Sequence, residues 1–294
     1  MVLIADSGST KTDWRLLKKR RVIRRWVSRG LNPTALSKEQ IISELQDSFG
    51  GNFSQRKFNK LLFGKTGFAL KKVKKIHFYG AGCFDKKNCQ KVRRALQHFY
   101  PEATIRVKTD LLGAARAVCG KQPGVVCILG TGANSGLYNG RTVIDNIPPL
   151  GYIIADEGSG ADLGKRLLRK YFFRQLPPKL EKALLTEYEL DKPLVITEVY
   201  QTPGGNRFLG DFTKFIVEHQ NHPVIQKLVI EGFDNYLLNQ VLPYSEVRNL
   251  PIHFVGSVAF FLQDILRLRI HHFNLKMGQI IRHPIEELVN YHSI

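Results

Sequence analysis

Apolar and polar residues at the N terminus follow the pattern of a small antiparallel sheet. Residues 2–5 are apolar and predict a first strand, "DWRLL" predicts its return strand, and "RRVIRRWVSRG" alternates well enough to form a third. Alternation places one set of side chains toward a core and the other toward water. We therefore expect the chain to open with an antiparallel meander.

Strand and helix patterns then alternate along the chain. Ser37 is the expected N-cap of a helix over "LSKEQIISELQDSFG". The next segments predict in turn a strand with a glycine loop, a helix, a strand and a helix: "KIHFYGAG", "NCQKVRRALQHFY", "TIRVKTD" and "LLGAARAVCG". "GVVCILGTGANSGLYNG" then predicts a buried strand, a glycine turn and a return strand, as at the N terminus. This similarity is a hint of internal duplication.

The second half of the chain is mainly helical up to residue 240. After it, "PIHFVGSV" predicts a strand, and "AFFLQDILRL" and "HPIEELVNYH" predict helices. Strands and helices that alternate in this way indicate the α/β class. At 294 residues the chain is long enough for two domains. Because no low-complexity segment or linker separates them, we expect the two domains to share an extensive cleft.

Composition indicates a soluble globular protein, expected in the cytoplasm. The longest apolar runs, such as "VVCILG" at 125–130, are far shorter than the roughly 20 residues that span a bilayer, and the start lacks a signal-peptide pattern. The four cysteines form no CxxC pair and no zinc-ribbon spacing: Cys83, Cys89, Cys119 and Cys127. They are predicted to be reduced thiols.

The net charge of +19 is concentrated in the N-terminal third. Residues 1–113 carry 25 Lys and Arg against 8 Asp and Glu, a balance of +17, whereas residues 114–294 carry 19 against 17, a balance of +2. Such asymmetry is compatible with a nucleic acid or another acidic partner. A solvated basic face is the simpler interpretation, because core packing explains Trp14, Trp26 and Phe78 as well as base stacking does.

Two glycine-containing turns are candidates for phosphate binding. "GKT" at 64–66 is not a P-loop, since Asn59 stands where the motif requires its first glycine. In "DSGSTKT", a hairpin would present backbone N–H groups and the hydroxyls of Ser9, Thr10 and Thr12 to a phosphate, with Gly8 allowing close approach and Lys11 adding positive charge. "GTGANS" at 130–135 repeats this chemistry. Either turn alone is more often a plain hairpin, so the interpretation rests on having two.

These two turns, in this order, resemble the phosphate-binding hairpins of the actin, Hsp70 and sugar kinase superfamily. Within it, the chain resembles the BadF/BadG/BcrA/BcrD-type ATPase family and N-acetylglucosamine kinases. Further matching segments are "RGLNP" (29–33), "TDLLGAARAV" (109–118), "GYIIADEGSGADLGKRLL" (151–168) and "FVGSVA" (254–259). Ala155 departs from a usual glycine, and Asp162 stands where a bulky residue is common.

The resemblance implies an α/β protein with two actin-like (ribonuclease H-like) ATPase domains around an interdomain cleft. Its N-terminal domain would comprise residues 1–113 and 279–294, and its C-terminal domain residues 114–278. The implied reaction is transfer of the γ-phosphoryl group of ATP, with Mg²⁺ as cofactor, to the 6-hydroxyl of an amino sugar. N-acetylglucosamine is the expected sugar.

The resemblance also implies a role for each candidate residue. Asp110 would be the general base, and Asp6 would hold magnesium. The expected phosphate contacts are Gly8, Ser9, Thr10, Lys11, Thr12, Gly130, Thr131, Gly132 and Ala133, and the expected adenosine contacts are Gly256 and Ser257. The expected sugar contacts are Asn32, Gly80, Ala81, Gly82 and Asp156.

Each role has a plain structural alternative. Asp6 could cap a turn and Asp110 could be an ordinary N-cap. Asn32 and Asp156 could be polar loop residues, and the glycines could serve only turns and helix packing.

Two other functions stay open at the level of the sequence. One is an ATPase activator that drives an electron-transfer partner through an iron–sulfur cluster held between subunits, for which the cysteine spacing gives no support. The other is a binding module or sensor for a sugar or an acidic polymer, which the basic N-terminal third keeps open. A homodimer is a candidate assembly, and nucleic acid is a disfavoured partner although the N-terminal third is strongly basic.

Overall fold

The computed structural model describes residues 1–50 and 73–293, and the chain divides into two units. Unit 1 consists of Met1–Gly120 and Pro284–Ile294, and unit 2 of Lys121–His283. The segment at 64–66, which the sequence analysis rejected as a P-loop, lies outside the described residues.

The described part of unit 1 contains one mixed sheet with helices packed against it. Its elements in chain order are β1 (Val2–Ser7), β2 (Lys11–Lys18), β3 (Arg21–Arg29), α1 (Lys38–Gly50), β4 (Lys75–Gly80), α2 (Lys86–Phe99), β5 (Thr104–Thr109), α3 (Asp110–Cys119) and α12 (Ile285–Ser293). The strand order is β3-β2-β1-β4-β5. β1 to β3 pair antiparallel and confirm the predicted meander, whereas β1, β4 and β5 run parallel.

Aromatic side chains fill the core on one face of this sheet. Trp14 is fully buried and stacks on Trp26 with ring centroids 5.7 Å apart. Phe49 and Phe78 contact the same Trp14 ring. These aromatic residues therefore pack in the core, as one of the two sequence-based interpretations expected.

The described part of unit 2 repeats the sheet of unit 1. Its strands are β6 (Pro123–Leu129), β7 (Ala133–Asn139), β8 (Val143–Asp145), β9 (Pro251–Val255) and β10 (Lys276–Ile281), in the order β10-β9-β6-β7-β8. β6 to β8 pair antiparallel, and β6, β9 and β10 run parallel. In both sheets the first strand of the unit is central, with its meander on one side and parallel strands on the other. This shared topology supports the hint of duplication.

Helices cover the sheet of unit 2. They are α4 (Gly160–Phe172), α5 (Pro178–Glu187), α6 (Lys192–Ile196), α7 (Gly205–Asp211), α8 (Thr213–Glu218), α9 (Pro223–Tyr236), α10 (Ser257–Phe261) and α11 (Gln263–His272), with π-helical turns at Thr197–Gln201 and Leu237–Val241. The domain limits expected at 113 and 279 fall inside α3 and β10, respectively.

Basic residues of the N-terminal third lie on the edge strand β3. The burial pattern of β3 leaves its arginines exposed along a sheet edge, where charge discourages pairing with other strands. Within the described residues the four cysteines are free thiols, of which Cys83, Cys119 and Cys127 are buried and Cys89 is half-buried. Across residues 1–50 and 73–293, no helix is both long and apolar enough to cross a membrane.

Candidate active site

The first glycine turn is a tight hairpin between β1 and β2. The Gly8 N–H donates to the Lys11 carbonyl at 2.9 Å, which closes the turn. The Gly30 N–H donates to the Thr10 carbonyl at 3.0 Å, and a Cβ on Gly30 would collide with the Gly8 carbonyl. Gly30 is therefore needed to let the segment after β3 lie directly on the hairpin. The sequence analysis missed this residue, although "RGLNP" contains it.

Two side chains of the hairpin have defined partners. The Thr12 hydroxyl is fully buried and donates to the Arg29 carbonyl at 3.0 Å. It therefore supports the hairpin from inside and does not present a free hydroxyl to a phosphate. Lys11 Nζ lies 2.9 Å from Asp13 Oδ2, and the lysine side chain keeps 43% of its surface exposed. Its positive charge thus stays accessible at the turn.

Carboxylates gather beside the hairpin. Asp6 and Asp13 are directly paired across β1 and β2. Burial, followed by the nearby charges of Asp110 and Asp13, raises the pKa of Asp6 to about 7, although Lys11 opposes the shift. Burial likewise raises the pKa of Asp110, against the effect of the Leu111 N–H. The charge of Asp110, the expected base, thus contributes to the raised pKa of Asp6, the residue expected to hold the metal.

Asp110 lies at the start of α3, next to the residue that caps this helix. Thr109 is the N-cap of α3, and its hydroxyl accepts the Leu112 N–H at 3.1 Å. Asp110 is the first residue of the helix, and its Oδ1 accepts the Leu111 N–H at 2.9 Å. The N-cap position of α3 is thus filled by Thr109, while the Asp110 carboxylate accepts a second N–H of the first turn, so its role as a base stays a prediction.

The segments expected to bind sugar meet in unit 1. A Cβ on Gly82, which has φ +77°, would collide with Asn32 Oδ1. That Oδ1 accepts the Thr34 N–H at 3.0 Å and the Thr34 hydroxyl at 2.7 Å. The Ala81 N–H donates to the Ser7 carbonyl at 2.8 Å. Asn32 and the loop at 80–82 are therefore neighbours, and both lie at the end of β1.

The second glycine turn is held by the segment "DEGSG". The Gly130 N–H donates to the Gly132 carbonyl at 3.0 Å. At the start of α4, the Gly160 and Ala161 N–H groups donate to the carbonyls of Gly130 and Thr131 at 2.8 and 3.0 Å. The first backbone N–H groups of a helix have no partner within the helix, so this hairpin uses donors that are available there.

Asp156 lies against the same turn. It has φ +63° and is 8% exposed. A Cβ on Gly132 would stand 3.0 Å from Asp156 Oδ2, which explains the glycine there. Burial raises the pKa of Asp156 to about 6, and the hydrogen bond from the Ala133 N–H opposes that shift. The sequence analysis expected Asp156 near the sugar; in unit 2 its carboxylate contacts the candidate phosphate loop.

The unusual Asp162 has a local explanation. It is 4% exposed, and its Oδ2 accepts the Gly158 N–H at 3.0 Å and Arg166 Nε at 2.8 Å. A buried carboxylate with such partners replaces apolar packing with hydrogen bonds and an ion pair. Ala155, the other departure, is half-buried, and its N–H donates to the Gly151 carbonyl at 2.8 Å.

Gly256 brings the end of β9 against this hairpin. It has φ +130°, and a Cβ there would collide with the Leu129 carbonyl. Ser257 follows as the first residue of α10. Within unit 2, the structure thus gathers Gly130, Thr131, Gly132, Ala133, Asp156 and Gly256 around one turn.

Comparison with solved structures identifies the fold and the family. A Porphyromonas gingivalis protein proposed to be an N-acetylglucosamine kinase shares 39% identity with the chain at a TM-score of 0.90, with 100% of this chain and 99% of that one covered. A Chromobacterium violaceum protein with the same proposed activity shares 18% identity at a TM-score of 0.70, covering 99% and 98%. A ROK family glucokinase from Streptomyces griseus, in complex with glucose and AMPPNP, shares 13% identity at 0.53, covering 99% and 97%.

The two sheets, with a glycine hairpin after the first strand of each, define the two-domain actin-like fold of sugar kinases. The chain belongs to the family of the Porphyromonas gingivalis protein. No protein-family model and no curated protein matches the chain. The BadF/BadG/BcrA/BcrD assignment therefore stays a prediction.

Proposed function

We propose that the protein is an ATP-dependent kinase that phosphorylates the 6-hydroxyl of an amino sugar, with N-acetylglucosamine as the substrate. The observation that carries this proposal is the placement of Asp6 and Asp110 at the carboxyl ends of β1 and β5, two strands that run parallel on either side of β4. Membership in a family whose Porphyromonas gingivalis member is a proposed N-acetylglucosamine kinase supports the choice of sugar.

Asp110 is proposed to be the general base. It would accept the proton of the 6-hydroxyl while that oxygen forms its bond to the γ-phosphorus and the bond from this phosphorus to the β,γ-bridging oxygen of ATP breaks, so that ADP leaves. Burial raises the pKa of Asp110, which makes its carboxylate a stronger base than an exposed one. Phosphoryl transfer otherwise depends mainly on positioning and charge neutralisation.

The residues around Asp6 fit a magnesium ion. Mg²⁺ prefers oxygen ligands and is usually held through one or two carboxylates together with substrate phosphates. Among the described residues, no three His, Cys, Asp or Glu side chains are arranged so that they could hold a metal ion by themselves, so a dedicated all-protein site is not the arrangement proposed. Asp6 would hold the ion, which would neutralise charge on the transferred phosphoryl group.

Backbone N–H groups of the two hairpins are proposed to bind the phosphates. In unit 1 this would be the turn at 8–11 with the Lys11 ammonium, and in unit 2 the turn at 130–133. The Gly8 and Gly130 N–H groups already donate to the carbonyls of Lys11 and Gly132, so other N–H groups of each turn would bind phosphate. Gly256 and Ser257 would approach adenosine. In unit 1, Asn32 and the loop at 80–82 would contact the sugar. For Asp156 of unit 2, whose carboxylate lies against Gly132, a sugar contact stays a prediction. Among the described residues, the Asn32 amide donors have no protein partner, which leaves them for a ligand hydroxyl.

Mass-spectrometric detection of sugar phosphate tests the proposal directly. The protein is incubated with Mg-ATP and, separately, glucose, glucosamine, N-acetylglucosamine, N-acetylmannosamine and N-acetylmuramic acid. We expect phosphorylated N-acetylglucosamine from the wild type and a loss of at least about 10²-fold in Asp110→Asn, the scale on which a general base contributes. Periodate oxidation of the product would locate the phosphate at the 6-position.

Asp85→Asn is the matched control. Asp85 also stands at the start of a helix in unit 1, where its Oδ1 accepts the Asn88 N–H at 2.7 Å. We expect this variant to keep its turnover. Full activity in Asp110→Asn would remove the proposed base. ATP binding without product from any sugar would favour the non-catalytic sensor.

A further inference from the structure

Ser7 occupies a position that no assigned role explains. It ends β1, between Asp6 and Gly8, and its side chain is 1% exposed. Its Oγ lies 2.8 Å from the Thr12 hydroxyl and accepts the Leu31 N–H at 3.0 Å. A small hydroxyl side chain thus contacts both the phosphate hairpin and the segment that leads to Asn32.

Because each hydroxyl can donate only one proton, the direction of every hydrogen bond in this network is defined. The Arg29 carbonyl can only accept a hydrogen bond, so the Thr12 hydroxyl donates its single proton to that oxygen. Thr12 Oγ1 must therefore accept from Ser7 Oγ, and Ser7 Oγ in turn accepts from Leu31 N–H. The chain runs in one direction, from the Leu31 N–H through the two hydroxyls to the Arg29 carbonyl. Such chains of hydrogen bonds polarise one another in the same sense.

The network joins three segments of unit 1. The hydroxyl chain holds residues 29–31 to the hairpin, and the Ser7 carbonyl accepts the Ala81 N–H at 2.8 Å. Asn32 follows Leu31 directly, and its side chain lies against Gly82. Both candidate sugar segments are therefore bonded to the neighbour of Asp6: residues 29–31 through the Ser7 hydroxyl, and the loop at 80–82 through the Ser7 backbone carbonyl.

We propose that Ser7 is a positioning residue that sets the place of Asn32 and of the loop at 80–82 relative to the phosphate hairpin. The inference rests on the proposed kinase function and extends it. The distance between an acceptor hydroxyl and the γ-phosphate must be correct to a fraction of an ångström, and a displacement of about 1 Å can cost about 10²-fold in rate. Ser7 would fix this distance through hydrogen bonds on either side of it.

Ser7→Ala tests the proposal by its effect on the two substrates. The variant removes both side-chain hydrogen bonds and leaves the Leu31 N–H buried without its acceptor. We expect the sugar KM to rise about tenfold, because Asn32 loses its anchor. The KM for ATP should change less than about twofold, since the hairpin keeps the bond from Gly8 to Lys11 and the ion pair of Lys11 with Asp13.

Two further variants separate positioning from general loss of stability. Thr12→Val removes the bonds of the Thr12 hydroxyl to Ser7 and to the Arg29 carbonyl but leaves Ser7 Oγ as the acceptor of the Leu31 N–H, so it should raise the sugar KM less than Ser7→Ala does. Ser7→Ala combined with Thr12→Val should do little more than Ser7→Ala alone. Ser135→Ala is the matched control. Ser135 is another fully buried serine, and its Oγ bonds the Gln240 carbonyl at 2.5 Å and the Tyr244 hydroxyl at 2.8 Å. It should lose stability without changing the sugar KM.

Amide hydrogen exchange gives a readout that does not depend on turnover. Without ligand, Ser7→Ala should speed exchange in peptides covering 29–32 more than in β4, whereas Ser135→Ala should not. If Ser7→Ala leaves both this exchange and the sugar KM at wild-type values, Ser7 does not position the segment. If the wild type phosphorylates no sugar, the kinase proposal fails, and exchange at 29–32 alone decides whether Ser7 anchors that segment. Should Ser7→Ala not fold, Thr12→Val is measured instead, since it removes the other link of the same chain, from Thr12 to the Arg29 carbonyl; wild-type exchange at 29–32 and a wild-type sugar KM in that variant would overturn the proposal.

Discussion

Asp6 illustrates how one residue's surroundings set its chemistry. Burial and the nearby Asp110 and Asp13 raise its pKa to about 7, so near neutral pH the carboxyl group binds a proton for part of the time. A divalent cation supplies the opposite charge and favours the ionised form. Magnesium and protons should therefore compete at this residue.

This competition predicts that the fall of kcat/KM at low pH, the acid limb of the pH profile, shifts with the magnesium concentration. The proposed reaction needs Asp6 and Asp110 ionised, and the pKa of each is raised, so kcat/KM should fall as pH drops below about 7 at low Mg²⁺. Raising free Mg²⁺ should shift the limb to lower pH, while NaCl at the same ionic strength should not. Initial rates across pH 5 to 8, roughly the range of these groups, would measure the effect. A limb that stays in place at all Mg²⁺ concentrations would contradict it.

At this scale, the sequence predicts residues whose role is local and misses those whose role depends on distant contacts. Gly8 and Gly130 are recognisable because a glycine between two strands already indicates a turn. Gly30 is recognisable only when the Gly8 carbonyl is known to lie where its Cβ would be. The same holds for Ser7, whose partners Leu31 and Ala81 are remote in sequence.

The α4 and α7 helices show the same limit for packing between elements. A Cβ on Gly164 in α4 would collide with the Leu209 carbonyl in α7. Helix propensity alone predicts that Gly164→Ala stabilises the protein by up to about 1 kcal/mol. Contact with a backbone atom predicts the reverse, because neither helix can yield without moving its neighbours, and overpacking typically costs about 1–3 kcal/mol.

We expect the collision to dominate, so that Gly164→Ala lowers the free energy of unfolding of unit 2. Urea denaturation followed by hydrogen exchange in unit 2 would measure the change. Lys170→Ala, on the same helix, shortens a half-buried side chain and adds no atom, so it should stay within about 0.5 kcal/mol of the wild type. A stabilised Gly164→Ala would mean that α7 moves away at little cost.

A histidine pair links β4 to α12. His77 and His292 stack with ring centroids 3.8 Å apart, and His292 Nε2 lies 2.8 Å from the Tyr79 hydroxyl. Burial, followed by Arg106 and Arg116, lowers the pKa of His77 to about 4. Burial, followed by the charges of His77, Arg116 and Arg106, lowers the pKa of His292 to about 3. Both side chains are therefore neutral in the folded protein at pH 7.

The lowered pKa values predict a loss of stability in acid. The unfolded chain takes up protons on these histidines near pH 6.5, whereas the folded chain does so only near pH 4 and below. Their contribution is therefore complete above pH 6.5 and falls as pH drops below it, by up to about 1.4 kcal/mol per pH unit for each histidine. His77→Phe keeps a stacked ring and removes one titration. From pH 7.5 to 4.5, about the span of the transition, the free energy of unfolding should fall more steeply for the wild type than for His77→Phe. A difference between the two proteins that stays constant over this range would contradict the lowered pKa of His77.

Element prediction succeeds where the hydrophobic pattern is strong. The buried runs of β1, β4 and β6 gave strands that the structure confirms. β10 was not predicted, since it lies at a sheet edge, contains Gly278, and its residues are at most half-buried. Its ladder to β9 is also irregular between Met277 and Ile280. A strand of this kind is specified by its neighbour more than by its own alternation.

For the whole molecule, the main consequence of the topology is that unit 1 is discontinuous in sequence. Its first strands and its last helix are separated by all of unit 2. The last helix, α12, packs its apolar side chains against one residue from each of β1, β2 and β4. The α12 residues are Ile285, Leu288 and Val289, and the strand residues are Ile4, Leu17 and Tyr79. The core of unit 1 is therefore complete only after the C-terminal segment has joined it.

Leu288→Ala should consequently destabilise the N-terminal strands, although the substitution lies near the other end of the chain. Leu288 is fully buried, and truncating a buried leucine typically costs about 2–5 kcal/mol. Glu287→Ala, on the exposed side of the same helix, should change stability by less than about 0.5 kcal/mol. Hydrogen exchange should accelerate in β1 and β2 of Leu288→Ala while β6 and β9 keep their protection, because α12 contributes to the core of unit 1. Equal acceleration in both units would show instead that they unfold as one cooperative block.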